Sequence, residues 1–402
     1  MQPEEEREPH LPGFDTICAH WGEDRTLWQG AVIPPIYQNS LFTFPSTTAR
    51  RQPTLDAVEP GVDPGPYIYT RVNNPTTSIA ESKIAALEHA DQARCFGSGM
   101  AAISAAILAC VKSGDHVIAP DTVYGPTRQF LASYLTRFNV TASFVDSRSV
   151  ESFREAVQPN TTLIYLESPS SMVMHQQDLA GVVALAREIG AASICDNSWA
   201  SPYFQNPIDF GVDLVVHSAT KYLGGHSDIV AGVVAGSKSR MERIAGDEGQ
   251  LLGGILDPFA SWLMIRGLRT LSIRMERHYK SASEIARRLH AHPLVERVFY
   301  PGVAGDPQAE LTQKQLKGSS GLMSFALKAN EEAPHRRVID SLKYYGLGCS
   351  WGGFESLAIV GCVPAAAGGD PGNGRRWIIR IHIGLEDVED LWCDLETAMQ
   401  GA

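Results

Sequence analysis

A chain of 402 residues is too long for one small core and implies two or three domains. Its composition, 44% hydrophobic and 20% charged, is that of a globular protein, and no apolar run, Ala105–Val111 included, approaches the roughly 20 residues of a membrane helix. The net charge of -11 argues against a nucleic-acid partner, which needs clustered Lys and Arg.

Seven cysteines without a CxxC pair suit a reduced compartment, with neither disulfides nor a metal site. The acidic start MQPEEEREPH lacks the basic and then apolar plan of a secretory signal, which places the chain in the cytoplasm.

Residues 1–66 are rich in Pro and Gly, notably from Gln52-Pro53 to Pro64-Gly65-Pro66, and predict an irregular segment lying on a neighbouring subunit. Helices are predicted over Ser78–Ala90 and Gly99–Val111, a strand over His116–Ala119, a helix over Pro126–Phe138 and a strand over Ala142–Val145. Further short strands follow at Leu163–Leu166, Ser193–Cys195 and Leu214–His217, with the amphipathic stretch Leu179–Ile189 between two of them. Strand and helix in alternation predict an α/β domain over 67–262, built on a mostly parallel sheet covered on both faces. Residues 263–402 read as connecting helices, Trp262–Ile273 and Met275–His292, and a smaller α+β domain. That domain has strands at Leu322–Lys328 and Trp377–Ile383 and helices at Val338–Tyr345 and Val388–Met399.

Ligands of open parallel sheets bind beyond the carboxyl ends of the strands, so polar residues just after apolar runs are the first candidates. Gly97-Ser98-Gly99-Met100 leads into a helix, where free amides and the positive dipole end can receive a phosphate; in isolation it is equally a plain turn. Asp196 closes a buried strand, where a carboxylate needs a partner such as a protonated pyridine nitrogen, with helix capping as the bland alternative. Lys221 follows Ser218 and Thr220, two hydroxyls suited to phosphate oxygens, and precedes Gly224-Gly225, expected to leave room beside the amine. A lysine in a confined site can lose its proton and condense with an aldehyde. Together the three groups form the set required by a pyridoxal-5′-phosphate (PLP) enzyme.

These residues, with Tyr69-Thr70-Arg71…Asn74-Pro75-Thr76, Asp121-Thr122-Val123-Tyr124, Ser218-Ala219-Thr220-Lys221-Tyr222 and Arg266-Gly267-Leu268-Arg269-Thr270-Leu271, give the chain a resemblance to the Cys/Met-metabolism PLP-dependent enzymes. Within that family it is most similar to bacterial cystathionine β-lyases. That likeness rests on Ser168-Pro169-Ser170-Ser171, Asn197-Ser198-Trp199-Ala200 and Ser350-Trp351-Gly352-Gly353-Phe354-Glu355-Ser356-Leu357. The resemblance implies the aspartate-aminotransferase type of fold (fold type I).

It also implies roles. Lys221 would carry the cofactor and shuttle a proton, Asp196 would pair with the ring nitrogen and Tyr124 would stack on the ring. Gly99, Met100, Ser218 and Thr220 would hold the phosphate, and Tyr69 and Arg71 would reach the phosphate of a neighbouring subunit. Arg380 would bind the substrate carboxylate beside Ser350 and Trp351. The implied assembly is a homotetramer of dimers that share active sites, acting on a small amino acid in trans-sulfuration.

Cys349-Ser350-Trp351 lacks the acidic residue of γ-acting relatives and has Trp in the third place, as β-lyases do. The expected activity is therefore β-elimination from cystathionine or a related cysteine conjugate, giving a thiol, pyruvate and ammonia. A γ-acting member of the family is the alternative, and a PLP-binding homologue without catalysis is a third.

Overall fold

Short apolar strands buried on both faces need cover from both sides, and the chain supplies it by crossing helices over between parallel strands. The computed structural model describes residues 12–47, 67–367 and 374–401. Its strands are β1 (Gln92–Phe96), β2 (His116–Pro120), β3 (Thr141–Val145), β4 (Thr161–Glu167), β5 (Ala192–Asp196), β6 (Leu214–His217) and β7 (Gly232–Gly236) in one sheet. A second sheet contains β8 (Val295–Phe299), β9 (Leu322–Leu327), β10 (Gly346–Leu347), β11 (Leu357–Pro364) and β12 (Arg375–His382).

The first sheet has the order β1-β7-β6-β5-β4-β2-β3 and is parallel except for β7, which runs against both of its neighbours. Side chains alternate between the two faces, as the strand period of two requires. Val117, Leu163, Tyr165 and Ile194 pack on one side with Ile103, Ala106 and Ile107 of the helix Gly99–Leu108. Ile118, Ile164, Leu166 and Cys195 pack on the other with Leu179, Val182 and Ala186. These last three belong to the helix Leu179–Ile189, whose bounds are local in origin: the Asp178 side chain accepts the Gly181 amide, and Gly190 at φ 70 ends it.

The second sheet, β10-β11-β12-β9-β8, is antiparallel apart from β10 against β11. The 21-residue helix Leu271–Ala291 packs beneath it, and Met275, Ile285 and Leu289 join Phe325, Ile379 and Ile381 in one core. The predicted helix 126–138 is one helical run with a π-helical turn at Phe130–Tyr134 and a 3₁₀ turn at Leu135–Phe138. The helix expected over Val338–Tyr345 lies earlier, at Glu332–Ser341, because Lys343 and Tyr344 give their amides to the Asp394 carboxylate.

Residues 12–47 are held by this chain's own helices. The Tyr37 amide donates to Thr76 Oγ1 (3.0 Å), Trp262 Nε1 donates to the Pro34 carbonyl (3.1 Å), and Glu23 receives the buried Lys83 amine (3.0 Å) and Arg269 (2.9 Å). Val32, Ile33 and Leu41 remain exposed on this segment. Residues 1–11 and the Gln52–Pro66 loop lie outside the described residues.

Gly224 and Gly225 do not open space beside the amine. Gly225 sits at φ +70, and a Cβ there would lie 2.0 Å from Nη1 of Arg274, whose guanidinium donates to the carbonyls of Tyr222 and Gly267 at 2.8 Å each. A Cβ on Gly224 would meet Ile229. The pair lets the loop after Lys221 close on the helices Pro258–Leu268 and Leu271–Ala291. Gly114 has a similar φ, +94, but nothing within 4 Å of a Cβ. Gly225→Ala should therefore destabilise the protein by about 2 kcal/mol more than Gly114→Ala, since only the first displaces a buried guanidinium; thermal melts of the two variants check this.

Candidate functional site

Parallel strands end side by side, so the residues closing β4, β5 and β6 converge. Glu167 and Asp196, the last residues of β4 and β5, are register partners. Ser218 follows β6 directly. Opposite them the helix Gly99–Leu108 begins. Ser98, in an extended conformation, accepts the Ala101 amide on Oγ (3.0 Å) and the Ala102 amide on its carbonyl, which leaves Gly99 and Met100 as the uncapped amides of the first turn. A side chain on Gly99 has no room, because its Cβ would lie 2.8 Å from Ser218 Oγ. The second sheet contributes Arg380 from β12 and Cys349, Ser350 and Trp351 from the connection between β10 and β11.

These pieces enclose a cleft of about 300 Å³ that gathers Gly99, Met100, Tyr124, Asp196, Ser218, Thr220, Lys221, Trp351 and Arg380. Ser350 joins them, accepting a hydrogen bond from Lys221 Nζ at 3.0 Å. The Trp351 ring centroid is 5.3 Å from the same amine, and Gly352, at φ +86, presses so closely on the Lys221 backbone that a Cβ would come within 2.9 Å of its Cα. Burial first, and the Arg380 charge second, lower the Lys221 pKa, which favours the neutral, nucleophilic amine.

Asp196 Oδ1 accepts the Ser198 amide at 2.9 Å. Burial raises the Asp196 carboxyl pKa, opposed by the Ser198 hydrogen bonds and by His217. Glu167, which accepts the Tyr124 amide at 2.7 Å, is raised as well, by burial and then by Asp196 beside it. Two buried carboxyls side by side favour a cation between the strand ends and the cleft.

Thr220 lines the cleft, but its hydroxyl donates to the Ala231 carbonyl (3.1 Å) and accepts the Ala231 amide (2.9 Å). Tyr69 and Arg71 stand apart from this chain's cleft: Tyr69 is exposed and bridges to Leu41, and Arg71 donates to the Gln250 carbonyl at 2.7 Å. The sequence reading missed Glu167, although it too follows an apolar strand directly. It also missed the apolar wall that Ile103, Met172, Val230 and Leu322 add to the cleft. Met172 carries no motif; it sits at φ 68 in the loop after β4.

Uncapped helix amides beside a serine hydroxyl, a buried carboxyl and a lysine of lowered pKa suit a phosphate, a protonated ring nitrogen and an aldehyde, three of the polar groups of PLP. The profile of the Cys/Met metabolism PLP-dependent enzymes matches residues 15–400. The chain is 38% identical to the L-methionine gamma-lyase of Treponema denticola, covering 96% of each chain. It is 35% identical to the chloroplastic cystathionine beta-lyase of Mimosa pudica, over 98% of this chain and 84% of that one. The crystal structure of metB from Corynebacterium glutamicum superposes with a TM-score of 0.87 at 35% identity, covering 98% of this chain and 100% of that one. Asp196→Asn is expected to keep PLP bound and to slow turnover ~10²- to 10³-fold, since an amide does not hold a charged ring nitrogen as a carboxylate does; a near wild-type rate, measured by keto-acid release, would mean that Asp196 only orders the turn at Ser198.

Proposed function

The chain belongs to the Cys/Met metabolism PLP-dependent enzymes, and we propose that its cleft holds pyridoxal phosphate and that it is a carbon–sulfur lyase acting at the γ-carbon of a thioether amino acid such as methionine. PLP, when bound, supplies an electron-accepting ring that stabilises negative charge at the α-carbon of an amino acid.

Arg380, half-buried beside the Lys221 amine, would receive the substrate carboxylate with its planar pair of donors. Lys221, its pKa lowered by burial and its amine bonded to Ser350, would take the α-proton, pass it on to the bound cofactor and, free of it again, take a β-proton, as γ-elimination requires. Tyr124, fixed through its amide by Glu167, presents its ring to the cofactor and its hydroxyl to the leaving sulfur. Asp196 would pair with the ring nitrogen, and Gly99, Met100 and Ser218 would hold the phosphate. The carbon–sulfur bond breaks, and water completes the balance to 2-oxobutyrate, ammonia and the thiol.

One observation carries the choice of substrate. Among the described residues the carboxylates that line the cleft are Asp196 and Glu167, both buried; Ser170 and Ser171 add hydroxyls, and an apolar wall is formed by Ile103, Met172, Val230, Leu322 and Trp351, with Cys349 at the place where an acid could hold a distal ammonium. An apolar wall suits a thioether ending in a methyl group better than cystathionine, whose far end is charged. The somewhat higher identity to a methionine gamma-lyase than to a cystathionine beta-lyase supports the same reading, which replaces the expected β-elimination as the main one.

The β-lyase reading is retained on a single feature, the Trp351 indole beside the Lys221 amine, which narrows the space in which a substrate can shift between two proton abstractions. With methionine and cystathionine as substrates, γ-elimination is expected to give 2-oxobutyrate as the dominant keto acid; pyruvate from cystathionine, with methionine untouched, would establish the β-lyase instead.

The reading includes a cytoplasmic homotetramer of dimers in which Tyr69 and Arg71 serve the neighbouring subunit's phosphate. Exposed Tyr69, Leu41, Val32 and Ile33 support a covered surface there. Arg71→Ala is then expected to weaken PLP retention, and mixing it with Lys221→Ala subunits to restore partial turnover. Unchanged retention would make Arg71 a clamp for the Gln250 carbonyl alone.

A further inference from the structure

The helix Pro75–Leu87 ends on Glu88, a fully buried residue. This is a poor place for a carboxylate, because the last carbonyls of a helix concentrate negative partial charge and burial removes water. Glu88 Oε1 accepts Asn197 Nδ2 at 2.9 Å and lies 2.5 Å from His217 Nε2; Oε2 has no hydrogen-bond partner among the described residues. Asn197 and His217 are themselves buried.

Their positions matter. Asn197 follows Asp196 in the chain, and His217 closes β6 one residue beyond Val216, the register partner of Asp196. Glu88 therefore grips the two residues that bracket Asp196. Gln205 extends the network, donating through Nε2 to the Ser168 carbonyl (3.0 Å) and to Asn197 Oδ1 (3.3 Å), so the ends of β4, β5 and β6 are tied together. Apolar side chains could join a helix to strand ends at lower cost than a buried ionisable pair, so the expense points to function rather than stability.

We propose that Glu88 is a positioning residue of the cofactor site: through His217 and Asn197 it sets the place and the negative charge of Asp196 against the ring nitrogen of PLP. His217, 2.5 Å from Glu88 and next to the register partner of Asp196, opposes the burial that raises the Asp196 carboxyl. The proposal rests on the role assigned to Asp196.

The test is Glu88→Gln, which keeps the shape and removes the charge, with His217→Gln and the double variant beside it. PLP affinity for each apoprotein and the visible spectrum of each holoprotein are measured together with apoprotein melting. The expected result is PLP binding weakened about tenfold in each single variant, with no further loss in the double, an altered cofactor spectrum, and apoprotein melting unchanged or raised. Wild-type affinity and spectrum in Glu88→Gln would overturn the proposal, as would a PLP loss in Glu88→Gln that accompanies lowered melting and is absent from His217→Gln. Asp196→Asn separates the two levels. An unchanged cofactor spectrum in that variant removes the role of Asp196 itself, whatever Glu88 does.

Discussion

Burying a carboxyl costs several kcal/mol unless a cation or several donors meet it, and this chain buries Glu167 and Asp196 as neighbours at the ends of two adjacent strands. Much of the site's structure answers that cost. The Ser198 amide binds Asp196, the Tyr124 amide binds Glu167, and the Glu88–His217 pair stands behind both. What remains uncompensated faces the cleft, where the proposed pairing with a protonated ring nitrogen would complete the balance. In the proposed function the same arrangement would keep an electron-accepting ring charged, so the constraint on folding and the requirement of the chemistry would coincide.

A second constraint is close approach. The helix that presents its amides to a phosphate must come up against Ser218, and Gly99 allows it; the same helix crosses β7 at Gly232, where a Cβ would lie 2.1 Å from the Ser98 carbonyl. On the other side Gly352 brings the Trp351 turn onto the Lys221 backbone. Neither sheet holds the whole site. The first supplies the carboxyls, the lysine and the helix amides, and the second supplies Arg380, Ser350 and Trp351. Relative movement of the two would open the cleft, and the core under the helix Leu271–Ala291 opposes such movement by joining that helix, the loop after Lys221 and the second sheet.

The indole that narrows the cleft is itself anchored. Trp351 packs on Tyr222 (5.4 Å between ring centroids), Tyr222 on His278 and His382, and His382 Nε2 accepts the Gly352 amide at 3.1 Å. Burial holds His278 down to about 4 and keeps His382 well below the usual imidazole range, which favours neutral rings that pack as aromatics. The position of Trp351 is thus a property of the core, and the room left to a substrate follows from it.

Periodicity and punctuation, which are local, made Leu179–Ile189 and Leu214–His217 legible to the residue, and placed Lys221 and Asp196 at apolar strand ends where ligands bind and Gly99 at a helix start. The strands β1 and β7 escaped because Arg94 sits in the middle of the first and glycines end the second; Arg94 is tolerated there through Glu81, thirteen residues earlier, and through the carbonyls of Arg71 and Val72. An apolar pattern says which face of an element is buried but not what lies across from it. Hence Glu167 beside Asp196, Glu88 against His217 from 129 residues away, Arg274 in the space of a Gly225 side chain and the Thr220 hydroxyl committed to Ala231 were all decided by tertiary packing. The sequence by itself determined the chemical groups and the strand ends that carry them. Only the folded chain decided which charges meet, because a buried charge is compensated by whatever lies nearest in space, however far away it is in sequence.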